Sequence, residues 1–282
     1  MSNKEQIDYW NGDAGKRWAQ QDETMARLLE PVCAALLDHA AVERCERALD
    51  IGCGGGSQSL MLAQRMQGGS SVLGVDVSAP MLAVAQLKKA ETDSESASLD
   101  FLHADASTYT FEAGAFDLLF SRFGVMFFDD PSQAFQNLHS ALSDTGRLAF
   151  CCWQSLADNA WTLLPIQAAL QYVEKPEAAD PNAPGPFSFA DPARVRSILE
   201  GAGFSAIEIA PHIIDVRFGQ DLNLADSVRE LAGIGPVSRL LVGVEDAVQQ
   251  KVFSAMEEVL APYYKDGGLV LPGAVWFVSA NG

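Results

Sequence analysis

Basic residues are scarce in this sequence. Its 282 residues include 19 Lys and Arg against 37 Asp and Glu, which gives a formal net charge of −18 at pH 7. Proteins that bind nucleic acid present a basic face, because neutralisation of phosphates supplies much of their affinity. No basic cluster interrupts the acidic background. The composition therefore argues against a tRNA, rRNA or DNA partner.

Cysteine and histidine are few and scattered. The five cysteines and four histidines form neither a CxxC pair nor an HxH or HExxH pair, the spacings typical of metal ligands. Cys151 and Cys152 are adjacent inside an apolar run, which favours buried, reduced thiols over a disulfide. We expect no metal site.

Long apolar runs are also lacking. No uncharged stretch is long and unbroken enough to span a bilayer. The first residues lack the apolar segment of a secretory signal. The sequence thus predicts no membrane span and a cytoplasmic location.

What the sequence does contain is a regular alternation of strand-like and helix-like segments. The predicted strands cover residues 47–51, 71–75, 99–103, 116–121, 146–153, 204–216 and 274–279. Helices are predicted at 57–66 and after Ser78 and Asp130, which are N-cap residues followed by a proline in the first turn. This order predicts an α/β fold: a Rossmann-like, doubly wound, mostly parallel, seven-stranded sheet with N-terminal helices and an inserted helical cap.

The same pattern divides the chain into parts. Residues 1–43 are expected to form N-terminal helices that act as a lid, with one short helix, a bend and a second helix. The Rossmann-like core takes residues 44–153, 189–218 and 267–282, with a surface loop at 91–98. Two segments that do not fit the core pattern, residues 154–188 and 219–266, are predicted to be cap insertions.

A glycine-rich turn follows the first predicted strand. Gly52, Gly54 and Gly56 lie between Asp50 and the next helix, and Asp76 ends the second strand. Glycine lets the backbone turn sharply and approach a ligand closely, because no Cβ obstructs it. A carboxylate at the end of the second strand can accept hydrogen bonds from both hydroxyls of a ribose. Together these features predict a site for a nucleoside-containing cofactor.

Two cofactor classes compete for such a site. The dinucleotide fingerprint requires a third glycine where this chain has Ser57. Asp50 would repel a pyrophosphate, whereas its charge favours a cationic sulfonium and an amino group. The residues therefore favour S-adenosylmethionine over NAD.

The segment Leu49–Gly56 resembles the first motif of class I S-adenosylmethionine-dependent methyltransferases. Further segments that resemble motifs of this family follow in the expected order: Gly74–Ser78, Ala104–Ala106, Phe116–Arg122 and the turn around Gly146. The resemblance covers residues 45–153 and, less fully, 189–211. Tyr9–Gly12 together with Trp18 is similar to the N-terminal helices of small-molecule members related to the ubiquinone and menaquinone methyltransferases.

The resemblance implies a role for each matching residue. Asp50 would face the methionine part of the cofactor, Asp76 the ribose, and Asp105 the adenine amino group. The residues implied to contact the cofactor are Asp50, Gly52, Cys53, Gly54, Asp76, Val77, Met81, Asp105, Ala106, Ser121, Trp10 and Trp18. The candidates for the acceptor pocket are Arg122, Phe123, Phe127 and Trp153.

Some of these residues have equally good structural interpretations. Asp105 can instead be the N-cap of a short turn. Trp10 and Trp18 would share a face of a continuous helix and pack in the core. Arg122 can pair with a surface acid.

These observations predict a methyltransferase that acts on an oxygen, nitrogen or carbon atom of a small, partly apolar acceptor. A nicotinamide-dependent oxidoreductase and a non-catalytic S-adenosylmethionine-binding protein are the alternatives. No catalytic base is assigned, because proximity and desolvation alone can supply much of the rate of methyl transfer. The sequence does not identify the acceptor or the oligomeric state.

Overall fold

A computed structural model of the chain describes residues 3–90, 97–177 and 180–282. It divides into two compact units. The first comprises Met1–Trp153, Pro181–His212 and Trp276–Gly282, and the second comprises Gln154–Asp180 and Ile213–Val275. The predicted functions of 1–43 as a lid and of 154–188 and 219–266 as a cap stay predictions.

Helices and strands alternate through most of the first unit. The helices of the chain are α1 (Asn3–Asn11), α2 (Asp13–Gln20), α3 (Asp22–Ala40), α4 (Ser57–Arg65), α5 (Ala79–Lys89), α6 (Pro131–Ala141), α7 (Ala160–Ala169), α8 (Pro192–Gly201), α9 (Leu224–Ala232), α10 (Gly235–Leu240) and α11 (Asp246–Leu260). The strands are β1 (Arg47–Ile51), β2 (Ser71–Asp76), β3 (Ser98–His103), β4 (Phe116–Arg122), β5 (Leu142–Trp153), β6 (Ser205–Phe218), β7 (Tyr264–Lys265) and β8 (Gly268–Asn281).

The strands form one sheet in the order β3-β2-β1-β4-β5-β8-β6. Strands β1 to β5 pair in parallel, which confirms the predicted Rossmann-like architecture. The prediction of seven strands was wrong by one, because the two residues of β7 pair antiparallel with β8. So short a strand leaves no periodic pattern in the sequence.

Two strand boundaries differ from the prediction by more than two residues. Pairing of β5 with β4 shifts from Leu142 opposite Phe116 to Arg147 opposite Leu118, so the turn-like residues around Gly146 lie within an irregular strand. Strand β8 begins at Gly268 instead of residue 274. Pro272 and Gly273, which favour a break, are accommodated inside it.

The predicted N-caps are confirmed. Ser78 Oγ accepts a hydrogen bond from Met81 N at 3.4 Å, and Asp130 Oδ1 accepts one from Gln133 N at 3.0 Å. In both helices a proline follows in the first turn, where its missing N–H is harmless. These local signals set the starts of α5 and α6.

The N-terminal region holds three helices, whereas two were predicted. Gly12 is extended, with φ −85° and ψ −151°, and separates α1 from α2. Trp10 and Trp18 therefore lie on different helices, yet their ring centroids are only 6.0 Å apart. Of the predicted loop at 91–98, residues 91–96 lie outside the described residues, and Ser98 begins β3.

The core of the first unit is formed by strands whose residues are buried on both faces. Leu49, Leu118, Leu119, Phe120 and Phe150 are fully buried there. All five cysteines are buried and free, and the burial predicted for Cys151 and Cys152 is confirmed. Within the described parts of the chain, no helix combines the length and the apolar character needed to cross a membrane.

The second unit is mostly helical. Its packing includes the rings of Trp161 and Phe218, whose centroids are 6.2 Å apart. Asn159 is fully buried, accepts hydrogen bonds from Ala274 N and Trp161 Nε1, and donates to the carbonyl oxygen of Gln154. These bonds satisfy polar groups that would otherwise be buried without partners.

Candidate functional site

The candidate site lies at the carboxyl edge of the parallel strands. Strand β1 pairs with β2 on one side and with β4 on the other, so the strand order reverses direction at β1. Ligands of open α/β sheets bind outside the strand ends at such a reversal. The glycine turn, defined as residues 52–56, leaves β1 at this point and leads into α4.

The glycine turn requires glycine for steric reasons. Gly52, Gly54 and Gly56 all have positive φ values, of 68°, 55° and 79°. A Cβ atom on Gly52 would lie 2.8 Å from Cα of Gly124, in the loop after β4. The turn and this loop are therefore in backbone contact, and Gly52 N donates to Val75 O at 2.9 Å.

Asp76 joins the glycine turn to the end of β2. Its Oδ2 accepts from Gly54 N at 2.8 Å and its Oδ1 from Ser78 N at 2.8 Å. Burial raises the pKa of Asp76, and the backbone N–H groups of Ser78, Gly54 and Val77 partly oppose that rise. A carboxylate accepts about four hydrogen bonds, so Asp76 retains acceptor capacity for a ligand.

The side chain of Asp50 contacts the helix that follows the glycine turn. Its side chain is fully buried, and its two oxygens accept hydrogen bonds from Gln58 Nε2 and Ser59 Oγ of α4. Burial raises the pKa of Asp50 to about 6, although these bonds and the nearby Arg122 charge act in the opposite direction. Asp50 thus links β1 to α4, and its expected contact with the methionine part of the cofactor stays a prediction.

Residues at the end of β4 complete the floor of the site. Ser121 Oγ donates to Ile51 O at 2.7 Å and accepts from Gly124 N at 3.2 Å. Arg122 donates from Nη1 to Leu29 O of α3 at 3.4 Å. Its buried Nε has no hydrogen-bond partner among the described residues. Arg122 is therefore directed at α3, and among the residues that the structure describes it does not form the surface ion pair considered from the sequence.

Aromatic rings line the same sheet edge. Phe123 has φ 63°, which is uncommon for a residue with a side chain, and its ring stacks on Trp153 with centroids 4.4 Å apart and planes 5° from parallel. Trp10 meets Phe127 edge-on, with centroids 5.4 Å apart. These contacts bring three of the four predicted acceptor residues to the ends of β4 and β5 and into the loop after β4.

The N-terminal helices contact the loops of the site. Asn11 donates from Nδ2 to Val77 O at 2.8 Å and accepts from Ala79 N at 3.0 Å, while Ser78 Oγ donates to Trp10 O at 2.8 Å. These bonds attach the end of α1 to the loop after β2. Trp10 thus lies beside the loop after β2, and its role in covering a ligand stays a prediction.

A second attachment joins α3 to the glycine turn. A Cβ atom on Gly55 would lie 1.8 Å from Asp22 Oδ1. Asp22 forms an ion pair with Lys88 of α5, and Lys88 also donates to Ser57 Oγ at 2.5 Å. The sequence did not reveal Asp22, Lys88 or Asn11, because each acts on a residue far away in the chain.

Asp105 is engaged by protein donors. It accepts from Ser107 N at 2.9 Å, Ser107 Oγ at 2.6 Å, Thr108 Oγ1 at 3.3 Å and Asn3 Nδ2 at 2.7 Å. Burial raises the pKa of Asp105, but the bonds from Ser107, Asn3 and Thr108 outweigh it and hold the pKa below its usual value. The turn-forming role considered from the sequence is present, together with a long-range contact from α1.

Substitution of Gly52 by alanine tests the close contact of the turn. Alanine at φ 68° is strained, and its Cβ would also overlap Gly124. We expect unfolding to become easier by about 3 kcal/mol, of which ~1–2 kcal/mol comes from φ alone. Gly69→Ala is the matched control, since Gly69 has φ 92° and open space around it. Equal losses in thermal and urea unfolding would show that the contact contributes nothing.

Comparison with known proteins provides an independent line of information. A family model described as "Methyltransferase domain" matches residues 49–150. Demethylmenaquinone methyltransferase of Thermus thermophilus is 31% identical over 60% of this chain and 79% of its own length. Malonyl-[acyl-carrier protein] O-methyltransferase of Enterobacter lignolyticus is 30% identical over 79% of this chain and 76% of its own length.

A solved structure shows the same fold. Phosphoethanolamine N-methyltransferase 2 of Haemonchus contortus, in complex with phosphomonomethylethanolamine and S-adenosylhomocysteine, superposes with a TM-score of 0.56. The match covers 100% of this chain and 60% of that chain, at 19% sequence identity. The glycine turn and Asp76 lie within the segment matched by the family model.

Proposed function

The chain belongs to the class I S-adenosylmethionine-dependent methyltransferases, and we propose that it methylates an oxygen, nitrogen or carbon atom of a small, partly apolar acceptor. The observation that carries the proposal is the hydrogen bond from Gly54 N to Asp76 Oδ2 at 2.8 Å. It joins the glycine turn and the carboxylate at the end of β2 into one cofactor-binding site. Family membership decides the cofactor in favour of S-adenosylmethionine over NAD.

The residues of the first unit fit this cofactor. The backbone of Gly52, Cys53 and Gly54 would line its methionine part, where a Cβ on Gly52 finds no room. Asp76 would hold the ribose hydroxyls through its remaining acceptor capacity. Val77 and Met81 would pack against adenine, and Cε of Met81 approaches a Cβ position on Gly54 to 3.4 Å.

Adenine recognition and cover would involve further residues. Asp105, next to the buried Ala106, would accept from the adenine amino group. Trp10 and Trp18, whose rings are in contact, would cover the cofactor. Ser121 would position the end of β1 beside the cofactor, since its hydroxyl donates to Ile51 O.

When bound, S-adenosylmethionine supplies an electrophilic methyl group attached to a cationic sulfonium. The fully buried carboxylate of Asp50 places a negative charge behind the glycine turn, where it would favour that cation. Phe123, Phe127 and Trp153 would exclude water from the acceptor and orient it. No residue is assigned as a general base, because removal of water and alignment of the acceptor can suffice.

The aromatic lining favours a partly apolar acceptor. Phe123 and Trp153 are both buried, and their stacked rings offer apolar surface at the ends of β4 and β5. Arg122 would add a positive charge behind Phe123 for an acceptor with anionic character. The two relatives differ in the acceptors that their names specify, so acceptor chemistry here is argued from the residues alone.

We further propose that the acceptor is not a nucleic acid and that the protein works in the cytoplasm. The formal charge of −18 disfavours binding of a polyanion. The five buried free thiols suit a reducing compartment, and burial raises the pKa of Cys33 to about 11.

Calorimetric titration tests the cofactor part of this proposal, and turnover tests the acceptor. We expect saturable binding of S-adenosylmethionine and S-adenosylhomocysteine and none of NAD. A panel of phenols, enols, carboxylates and amines would then be screened for release of S-adenosylhomocysteine. Binding without turnover of any member would contradict the proposed acceptor class, as would methylation of tRNA or DNA.

A further inference from the structure

The carboxylate of Asp105 has no free acceptor position. Ser107 donates twice to Oδ1, while Thr108 and Asn3 both donate to Oδ2. An ionised carboxylate has about four lone-pair positions. Four donors therefore saturate it, and a ligand amino group can bind Asp105 only by displacing one of them.

The four donors are not equally easy to displace. Three belong to the turn that follows β3, which is closed by Thr108 N and Tyr109 N donating to Asp105 O at 3.1 and 2.8 Å. The fourth, Asn3, lies 102 residues away in the sequence, at the start of α1. Only one residue of α1, Gln6, is buried, so the amino end of this helix is held mainly by polar contacts at its surface.

The Asn3 contact also has the chemistry of the expected ligand. The side-chain amide of asparagine presents an NH₂ group on a planar, sp² carbon, as does the 6-amino group of adenine. Its Nδ2 lies 2.7 Å from Asp105 Oδ2 and is half-buried. The side chain can rotate into solvent without loss of the Asn11 bonds that attach the other end of α1.

We propose that Asn3 is a built-in competitor of the cofactor: its amide occupies the oxygen of Asp105 that the adenine amino group takes. This inference rests on the proposed role of Asp105 in cofactor binding. Adenine and Asn3 exchange on one oxygen, so cofactor binding releases the amino end of α1 from the turn after β3. The contact lowers affinity for adenosine ligands, because the adenine amino group must displace Asn3.

The test compares two ligands on three forms of the full-length protein. The ligands are S-adenosylhomocysteine and its analogue in which the purine carries hydrogen in place of the 6-amino group. The proteins are the wild type, Asn3→Ala and Thr108→Ala. Thr108→Ala is the comparison variant, because it removes the other, longer hydrogen bond to the same oxygen.

We expect Asn3→Ala to bind S-adenosylhomocysteine about five-fold more tightly, the factor expected when one weak competing hydrogen bond is removed. Its affinity for the analogue should stay at the wild-type value, since the analogue has no amino group to compete. Thr108→Ala should raise the ratio of the two affinities by less than Asn3→Ala does, because its bond to Asp105 Oδ2 is longer, 3.3 Å against 2.7 Å. Thermal unfolding of the three unliganded proteins verifies that each is folded.

Three results would overturn the proposal. Equal gains for both ligands in Asn3→Ala would mean that α1 only obstructs the site. Weaker binding of S-adenosylhomocysteine by Asn3→Ala would make Asn3 a supporting residue. A selective gain in Thr108→Ala alone would identify the wrong donor. If no form binds S-adenosylhomocysteine, the proposed cofactor site itself fails. Binding by all three forms without the selective gain in Asn3→Ala would overturn only the role of Asn3.

Discussion

Replacement of Asp76 by alanine is expected to weaken S-adenosylmethionine binding by ~100-fold or more. Two ribose hydroxyls would lose a charged acceptor, and each such bond contributes about 1.5–3 kcal/mol. Gly54 N and Ser78 N would lose their acceptor as well, so the turn would loosen at the same time. Calorimetry on the folded variant measures the loss directly.

Asp117→Ala is the matched control for this experiment. Asp117 also accepts from two backbone N–H groups, those of Glu46 at 2.7 Å and Arg47 at 3.1 Å, but at the amino end of β1. Both variants should therefore lose similar stability, while only Asp76→Ala loses the cofactor. Equal loss of binding in the two variants would show that Asp76 acts through stability; wild-type binding in Asp76→Ala would remove it from the ribose site.

Asp50→Asn is expected to stabilise the protein at pH 7 by ~2–3 kcal/mol. Burial raises the pKa of Asp50 to about 6, against an ordinary value of 3.8, and each pKa unit corresponds to about 1.4 kcal/mol. Asparagine keeps the shape of the side chain. It can accept from Gln58 and donate to the hydroxyl of Ser59, which also accepts hydrogen bonds.

The pH dependence has a definite sign. A carboxyl group whose pKa is higher in the folded protein binds its proton more tightly there than in the unfolded chain. In the wild type, Asp50 therefore contributes a fall in the free energy of unfolding as pH rises from about 4 to about 6. The difference between Asp50→Asn and the wild type should open across this window and remain constant above it in urea unfolding.

Asp50→Asn should also weaken binding of the cofactor. Loss of the buried negative charge removes attraction for the sulfonium, so S-adenosylmethionine should lose more affinity than the uncharged thioether S-adenosylhomocysteine. Asp50→Ala separates charge from hydrogen bonding, because it leaves Gln58 and Ser59 unsatisfied and should destabilise at every pH. An Asp50→Asn protein that is less stable than wild type at pH 7 would contradict the assigned cost of the buried charge.

Stability and cofactor binding place opposite demands on residues of this site. Asp50 is kept charged and buried at the expense of stability, and Phe123 is held at φ 63°. Strained or desolvated residues of this kind concentrate where a protein binds or reacts. These two residues therefore mark the site as one where ligand binding takes precedence over stability.

Much of the fold could be predicted because its signals are local. Strand β1 has the predicted bounds, and the N-caps Ser78 and Asp130 act on residues three positions later. The spacing of the glycines identified the turn, and in the structure Gly52, Gly54 and Gly56 have positive φ, which few other residues tolerate. The boundaries of β5 and β8 and the two-residue β7 were missed, because strand partners decide them.

The arrangement of the site depends on contacts between distant residues. A strand buried on both faces shows no alternation of polar and apolar residues, so the sequence does not reveal which way the side chain of Asp50 points. In the structure it points towards α4. Neither the contact of Asp22 with Gly55 nor that of Asn3 with Asp105 leaves a spacing that can be recognised in the sequence.

By itself the sequence determined the parallel α/β sheet, the glycine turn and the positions of the carboxylates at the strand ends, because these follow from backbone sterics and short-range periodicity. Only the tertiary structure decided which carboxylates remain able to meet a ligand. Asp76 keeps acceptor capacity, Asp50 is buried against α4, and Asp105 receives its fourth donor from α1. Hydrogen-bond capacity is a property of the folded neighbourhood, because donors such as Gly54 and Asn3 reach these carboxylates from 22 and 102 residues away in the sequence.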